Sequence, residues 1–201
     1  MFAVMDEEER LIFDLLYQCG LRKRELMYLE DTDVLVEELA PGYVKREIRV
    51  QSKNHWKFKT KNGKSRTIPV GRGLMNRLVA RKATSRKTKL LFGCSTGQPD
   101  YHILDKLKAI AKRAGIDTTT VWLHKFRSSC ATNWLRSPQF GGMGYDLPSV
   151  RKWLGHDDMR VVEKYACHLR NEELIQFEPD LVLKGAEPSP GIIPSDARTD
   201  S

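Results

Sequence analysis

Features of membrane and secreted proteins are missing from this sequence. No apolar run approaches the roughly 18 residues that span a bilayer, and no basic stretch followed by an apolar one marks a signal peptide near the N-terminus. The cysteines form no CxxC pair and no spacing typical of zinc ligands; they are Cys19, Cys94, Cys130 and Cys167. We therefore expect a cytoplasmic protein with reduced thiols, without membrane contact, disulfides or a metal site.

Acidic residues are scarce in one long part of the chain. Residues 45–89 contain 16 Lys and Arg against a single acid, Glu47, which gives this segment a net charge of +15. The rest of the chain has 18 basic and 25 acidic residues, so the overall charge of +8 is concentrated in that segment. Such a block favours a phosphate-binding surface, because each neutralised phosphate releases counterions. A solvated basic face, or one that binds RNA or an acidic protein, is the alternative.

Helical patterns occupy both ends of the chain. Apolar residues recur at helical spacing over residues 6–18, where Asp6 and Glu9 resemble a capping box and Gly20 is a typical C-terminal stop. The glycine-bearing stretch 137–146 is predicted to be a loop. Further helices are predicted over residues 22–29, 72–86, 101–114, 122–135, 147–154 and 161–168.

Between the first helices, a small sheet is predicted. The runs rich in β-branched and aromatic residues are 43–50, 55–60 and 66–70. In the second run Trp56, Phe58 and Thr60 alternate with lysines, which would put the lysines on the opposite face of a strand. Asn62-Gly63 is typical of a two-residue hairpin turn, so Lys61 should lie at a hairpin tip.

The predicted architecture is one α+β domain, mainly helical with a three-stranded antiparallel sheet and without internal repeats. At 201 residues the chain is long enough for one well-packed domain and short for two. We assign residues 1–178 to this domain. Residues 179–201 are predicted to be a largely disordered tail, because Pro, Gly, Ser and Asp dominate its end.

Five short motifs follow one another between residues 20 and 165. In chain order they are Gly20-Leu21-Arg22-Lys23-Arg24-Glu25-Leu26, Lys61-Asn62-Gly63-Lys64-Ser65-Arg66-Thr67-Ile68-Pro69, Leu123-His124-Lys125-Phe126-Arg127, Leu154-Gly155-His156, and Tyr165. Taken singly, each has an ordinary explanation: a His and an Arg three residues apart usually form a surface pair. Together, in this order and spacing, they resemble the signature of the tyrosine recombinase (phage integrase) family. The resemblance covers nearly the whole chain before the tail and identifies residues 1–178 as the family's catalytic domain.

The resemblance implies a DNA-cutting and DNA-rejoining enzyme with Tyr165 as nucleophile. Its attack would form a 3′-phosphotyrosyl link and free a 5′-hydroxyl. Arg22 and Arg127 would bind the phosphate, since planar, permanently charged guanidinium groups match the charge that develops on its oxygens. His124 and His156 would hydrogen-bond the phosphate and help to move the tyrosine proton. His156 following a glycine is otherwise typical of a helix cap.

The basic hairpin would supply the general acid. Lys61 is predicted to protonate the departing sugar oxygen, because a lysine among other cations gives up its proton more readily. Lys64 is the rival for this role, in which case Lys61 would simply contact phosphate. Glu25 is predicted to orient Arg22 without touching the phosphate. The residues predicted to contact DNA are Lys57, Lys59, Lys64 and Arg66.

The resemblance also implies the partners. Double-stranded DNA would be bound by four protomers on two sites, the free protein would be a monomer, and the DNA-bound protein would lie on the nucleoid. Neither metal nor nucleotide cofactor is implied, because cationic side chains neutralise the phosphate. Two other functions stay open: DNA relaxation like that of type IB topoisomerases, and DNA binding without catalysis by a module of the same fold.

Two features depart from compact family members. The interval from Arg127 to His156 is 29 residues, several more than is common, and the loop 137–146 accounts for the excess. Family members carry a helical core-binding domain before the first arginine motif, and Met1 lies 21 residues before Arg22. We therefore expect that domain to be absent here, as in a fragment or a minimal member. The apolar segment 172–183 is expected to pack either on its own domain or on a neighbouring protomer.

Overall fold

A computed structural model of the chain describes residues 2–84 and 88–176. The helices in that part are α1 (Glu7–Cys19), α2 (Lys23–Met27), α3 (Arg72–Ala83), α4 (Ile103–Arg113), α5 (Leu123–Leu135), α6 (Leu147–Leu154) and α7 (Arg160–Gln176). The strands are β1 (Val34–Ala40), β2 (Tyr43–Val50) and β3 (Arg66–Pro69). The predicted α+β class, mainly helical with a three-stranded antiparallel sheet, is confirmed. None of these helices is long and apolar enough to cross a membrane.

Helix α1 begins and ends where the sequence predicts. Asp6 accepts the backbone N–H of Glu9 at 2.8 Å, and the Glu9 carboxylate accepts that of Asp6 at 3.0 Å, which completes the capping box. Gly20 ends the helix at φ +59°, a conformation that favours glycine. The buried face packs on α5, where the rings of Phe13 and Phe126 lie 5.4 Å apart. The turn at Gly20 therefore delivers the first arginine motif directly beside α5.

The sheet has the order β1-β2-β3, with antiparallel pairing throughout. Ile48 of β2 faces Ile68 of β3, and both are fully buried. Each such side chain contributes about 1.5–3 kcal/mol on leaving water. Val50 pairs with Arg66, so β3 begins at the last basic residue of the motif that runs from Lys61 to Pro69.

The prediction of a strand over residues 55–60 is wrong. Asn54–Trp56 forms a 3-10 turn, Lys57 has φ +51°, and the only pairing in this stretch is a single bridge between Lys53 and Phe58. The third strand is β1, whose exposed acidic residues obscured it in the sequence. The predicted hairpin with Lys61 at its tip is therefore a turn in the connection between β2 and β3.

The loop 137–146 is folded onto the end of α5. The N–H groups of Met143, Gly144 and Tyr145 donate to the last carbonyl groups of that helix and of its C-terminal cap residue at 2.8–2.9 Å. The ring of Tyr145 packs edge-on against Trp153 of α6 at 5.0 Å. The additional residues thus cap α5 and support α6, which ends at the fourth motif, Leu154-Gly155-His156.

The end of the predicted domain lies outside the described residues. Helix α7 extends over Arg160–Gln176, which is longer than the predicted 161–168 and includes the start of the apolar segment 172–183. The remainder of that segment and the predicted tail, residues 179–201, are not described. The docking of the segment on a neighbouring protomer stays a prediction.

Candidate active site

Arg127 joins the ends of α1 and α6. It is a buried residue of α5, and its guanidinium donates to the carbonyl oxygens of Gly20 and Leu154. The same guanidinium lies 3.1 Å from Nε2 of His156. An arginine nitrogen can only donate, so Nε2 accepts and the proton of a neutral His156 lies on Nδ1.

Arg22 and Glu25 form the second part of the site, at the start of α2. The guanidinium of Arg22 donates to Glu25 at 2.8 Å, and the carboxylate also accepts the backbone N–H of Arg22 at 2.8 Å. A second Arg22 nitrogen lies 3.3 Å from the carbonyl oxygen of Gly155. Glu25 is buried, whereas the Arg22 side chain is 25% exposed. The predicted contact is present, and part of Arg22 stays accessible to a ligand.

Arg66 lies in this cluster and not on an exposed basic face. Its side chain is 7% exposed. Two of its nitrogens donate to Glu25 at 2.9 and 2.7 Å, and Nε donates to the carbonyl oxygen of Trp153 at 2.7 Å. Each of its three donor nitrogens is bonded to a protein group, and the contact of Arg66 with DNA stays a prediction. A signal was present in the sequence, since Arg66 and Ile68 lie two apart in a strand and share its inward face.

The cluster holds more positive than negative charge. Burial raises the pKa of Glu25, but the hydrogen bond and charge of Arg66, followed by those of Arg22, bring it below its ordinary value. Burial first, and then the charge of Arg22, lowers the pKa of Arg127 to about 10. At neutral pH one carboxylate therefore stands against three guanidinium groups, which is an electrostatic environment suited to a phosphate.

His156 is neutral at physiological pH. Burial lowers its pKa to about 4, with further contributions from the charges of Arg127, Arg22 and Lys61. A neutral imidazole with its proton on Nδ1 has a hydrogen-bond donor to offer while Nε2 is held by Arg127. The contribution of Lys61 also shows that this exposed lysine lies within electrostatic reach of the site.

The loop before β3 is latched to the segment after His156. Asn62 and Lys64 each approach Oδ1 of Asp157, at 3.2 and 3.3 Å, beside a groove of about 520 Å³. Lys64 and Asp157 are 75% and 64% exposed. Exposed ion pairs contribute about 0–1 kcal/mol, so this latch yields easily to a charged ligand.

The basic segment 45–89 divides into paired and free cations. Lys53 is buried against Asp33 and Glu30. Arg77 and Arg81 of α3 pair with acids of α1. In the described part of this segment, the exposed lysines whose side chains make no hydrogen bond or ion pair are Lys57, Lys59, Lys61 and Lys89. Part of the excess charge of the sequence is thus available to a partner along residues 57–64.

Tyr165 and His124 lie at the margin of the cluster. Tyr165, on α7, is half-buried in a groove of about 690 Å³ lined by α1 and α5, and is near enough for its phenolate form to interact with Arg127. Its hydroxyl makes no hydrogen bond to a described residue. His124 is exposed in the first turn of α5, one turn before Arg127, and its ring also bonds to no described residue. The structure thus brings Arg22, Arg127 and His156 together and leaves these two nearby.

Two groups of functional interest were missed from the sequence. Backbone carbonyl oxygens at residues 20, 154 and 155 position the arginines, and carbonyl acceptors leave no mark in a sequence. A buried cluster of Lys53, Asp33 and Glu30 lies below the basic loop. Within the described part of the chain, no three His, Cys, Asp or Glu side chains are grouped so that they could hold a metal ion.

Comparison with known proteins places these motifs in a family. The family model described as Phage integrase family matches residues 2–172. Tyrosine recombinase XerC of Staphylococcus saprophyticus is 30% identical over 175 residues, which cover 83% of this chain and 51% of that protein. Tyrosine recombinase XerD of Staphylococcus haemolyticus is 29% identical over 178 residues, covering 84% of this chain and 52% of that protein. The chain spans about half the length of these curated relatives.

Solved structures show the same fold. The catalytic domain of bacteriophage HP1 integrase aligns with a TM-score of 0.53 and 20% identity, over 85% of this chain and 82% of that one. The XerH recombinase bound to a palindromic difH substrate, in a post-cleavage complex, aligns with a TM-score of 0.61 and 21% identity, over 86% of this chain and 47% of that one. Since the family match also extends over most of the chain, this protein belongs to the phage integrase family, together with the tyrosine recombinases that it resembles.

Proposed function

We propose that the chain is the catalytic part of a site-specific DNA recombinase that cuts and rejoins DNA through a 3′-phosphotyrosyl intermediate on Tyr165. One observation carries the proposal: Arg22, Arg127 and neutral His156 meet at one partly open site with surplus positive charge. The family match and the recombinase relatives support the same reaction. The proposed activity of the whole protein is site-specific recombination, and its proposed substrate is double-stranded DNA.

The phosphate is proposed to bind at the open side of Arg22. A guanidinium has five N–H donors, and the contacts to Glu25 and Gly155 leave donors of Arg22 free. In Arg127, Nη2 uses both of its hydrogens, for Leu154 and His156, whereas Nη1 uses one for Gly20 and keeps the other for a ligand. Charge-assisted hydrogen bonds from both groups, with Nδ1–H of His156, would stabilise the additional charge of the transition state.

The chemistry follows from these positions. The Tyr165 oxygen attacks phosphorus as the bond to the 5′-oxygen breaks, so the phosphate is kept as a tyrosyl ester and the energy of the phosphodiester is not lost. Lys61 donates a proton to the departing 5′-oxygen, and His124 helps to remove the proton of the tyrosine. The part predicted for His156 in that proton transfer is not proposed, because its Nε2 is held by Arg127 and its Nδ1–H donates to the phosphate. Attack by the 5′-hydroxyl of another strand reverses the step and rejoins DNA.

DNA contacts are proposed for the exposed loop below the site. Lys57, Lys59 and Lys64 lie exposed along residues 57–64 and would bind backbone phosphates. Arg66 is left out of this proposal, because its hydrogen bonds hold it against Glu25 and Trp153. Strand exchange joins two duplexes, so four protomers on two sites form the working assembly and the free protein is a monomer. Because guanidinium and lysine groups supply the charge, the reaction needs neither metal nor nucleotide cofactor.

A covalent adduct tests the proposal. The protein is incubated with a nicked duplex that carries its target site, obtained by selection from a random library, and a denaturation-resistant protein–DNA adduct is sought. Tyr165→Phe should abolish the adduct and leave the Kd for DNA within about twofold, because only the attacking oxygen is lost. Tyr17→Phe, in the same groove, is the matched control and should still form the adduct, as should the wild type with excess chelator.

The other outcomes are equally informative. An adduct that survives in Tyr165→Phe contradicts the assignment of the nucleophile. Tight DNA binding without any adduct would indicate a non-catalytic module. Relaxation of supercoiled plasmid without exchange of strands would indicate the topoisomerase-like reaction.

A further inference from the structure

Arg66 connects three parts of the site that are far apart in the chain. From the first residue of β3 it reaches Glu25 of α2 through two hydrogen bonds, at 2.9 and 2.7 Å. Its Nε reaches the carbonyl oxygen of Trp153, near the end of α6, at 2.7 Å. Only 7% of its side chain is exposed, and these three hydrogen bonds hold it against protein groups.

The same side chain packs against the glycine before His156. A Cβ at Gly155 would lie 3.0 Å from Cδ of Arg66 and 3.2 Å from its Nε. Gly155 has φ +66°, and its carbonyl oxygen lies 3.3 Å from Arg22. Arg66 therefore contacts both groups that position the active-site side chains: the carboxylate of Glu25, which holds Arg22, and the turn at Gly155, which precedes His156.

We propose that Arg66 is a positioning residue for DNA cleavage, which acts by holding Glu25, and through it Arg22, in register with the end of α6. The inference rests on the proposed function, because Arg22 matters to cleavage only if the cluster binds the scissile phosphate. Arg66 is also the first residue of β3, immediately after the loop that contains Lys61. Its contacts therefore fix the point at which that loop joins the sheet.

Arginine is required here for a geometric reason. Its planar fork places three nitrogens opposite three oxygens, two of Glu25 and one of Trp153. A lysine keeps the charge, but its single nitrogen cannot meet acceptors that lie along two different edges of a guanidinium. Arg66→Lys thus separates position from charge, and Arg66→Gln removes both.

Salt dependence separates positioning from DNA contact. The affinity for duplex DNA is measured at several salt concentrations, because each phosphate contact adds about 0.9 to the slope of log K against log salt. Lys64→Gln, which removes an exposed cation of the same motif, should reduce the slope by about that amount. Arg66→Gln and Arg66→Lys should leave the slope unchanged. A reduced slope for Arg66→Gln would mean that Arg66 contacts DNA and would overturn the proposal.

Single-turnover cleavage shows whether Arg66 acts through Arg22. We expect Arg66→Gln and Arg66→Lys to slow adduct formation by about 10- to 100-fold, as small displacements of catalytic groups do. In an Arg22→Lys background the further effect of Arg66→Gln should be less than about threefold, because the group that it positions is already lost. Independent, additive effects, or cleavage at the wild-type rate, would overturn the proposal.

Folding and the underlying function are controlled separately. Melting temperature is recorded for each variant, and Arg66→Lys should stay folded at the assay temperature. Unfolding of both Arg66 variants would make the residue structural and would also contradict the proposal. A wild-type protein that forms no adduct contradicts the proposed function instead, while the salt slopes, which need binding alone, still decide whether Arg66 contacts DNA.

Discussion

Lys53 holds two carboxylates together beneath the basic loop, which makes it a sensitive point for stability. Its ammonium pairs with Asp33 and, at 3.3 Å, with Glu30, and the side chains of Lys53 and Asp33 are 4% and 1% exposed. Glu30 also contacts His55 at 2.7 Å and accepts the indole N–H of Trp56 at 2.9 Å. One buried cation thus secures the root of the loop that leads to Lys57, Lys59 and Lys61.

We predict that Lys53→Met lowers the free energy of unfolding by about 3–5 kcal/mol at pH 7. Methionine keeps most of the length of the side chain. The decrease in the free energy of unfolding therefore measures the cost of leaving two buried carboxylates without their cation. Two unit charges 4 Å apart interact by about 4 kcal/mol at an effective dielectric of 20, which is of the same size. For a chain of this length the melting temperature should fall by roughly 6–20 °C.

Urea denaturation followed by tryptophan fluorescence measures the effect, since Trp56 lies in the cluster. Lys57→Met is the matched control: this lysine is exposed on the same loop, and its loss should change the free energy of unfolding by no more than about 0.5 kcal/mol. A Lys53→Met protein within about 1 kcal/mol of wild type would refute the reasoning.

The pH dependence of the same variant provides a second check. Burial raises the pKa of Glu30, and hydrogen bonds from His55 and Trp56 with the charge of Lys53 bring it below its ordinary value. A carboxylate with a lowered pKa stabilises the fold above its unfolded pKa, and this stability is lost as pH falls through the folded pKa. Without Lys53 the pKa of Glu30 should rise. The difference in free energy of unfolding between wild type and Lys53→Met should therefore become smaller from pH 7 to pH 5. A difference that does not change with pH would contradict this account of Glu30.

Three further predictions concern the site and its support. The pKa of His156 is lowered from 6.5 to about 4, so the unfolded chain takes up a proton between these pH values that the folded chain does not, and stability falls as pH is lowered through that window; an NMR titration midpoint near 6.5 would contradict this. Gly142→Ala places a Cβ 2.1 Å from a backbone oxygen and should lower the free energy of unfolding by about 1–3 kcal/mol. Gly73→Ala is the control, because the space around Gly73 is open, and it should be neutral or slightly stabilising. Equal melting temperatures of the two variants would contradict the prediction for Gly142. Lys61→Ala should be slow on normal DNA and largely rescued by a 5′-bridging phosphorothiolate, whose sulfur departs without a proton, while Lys64→Ala shows neither effect; rescue of Lys64→Ala would transfer the role to it.

Local interactions made several elements predictable from the sequence. The capping box of Asp6 and Glu9 and the stop at Gly20 depend on residues at most four positions away. The predicted helix over residues 147–154 has the bounds of α6, because an Asp cap, a proline in the first turn and Gly155 delimit it locally. The order of the five motifs also needed no structure. It identified the family, and the match to residues 2–172 confirms it.

The strand predicted over residues 55–60 failed for a non-local reason. Its alternation is real, since Phe58 and Thr60 are buried and Lys57 and Lys59 are exposed. The side chains of His55 and Trp56 bond to Glu30, more than 20 residues away, and this holds the segment in a turn. Period-two burial indicates which side chains face the core and does not show that a neighbouring strand is present.

The sequence by itself determined most of the helices, their caps and the fold class, because periodic burial and capping act between neighbours in the chain. The set of candidate residues came from the resemblance of the five motifs to a known family. Only the tertiary structure decided what these residues touch. Arg66 meets Glu25 across 41 positions, and Arg22 meets Gly155 across 133. Whether an arginine serves a phosphate or a buried carboxylate depends on which acceptors the packed elements bring within 3 Å and on how much water they exclude. Neither quantity exists until the elements have assembled.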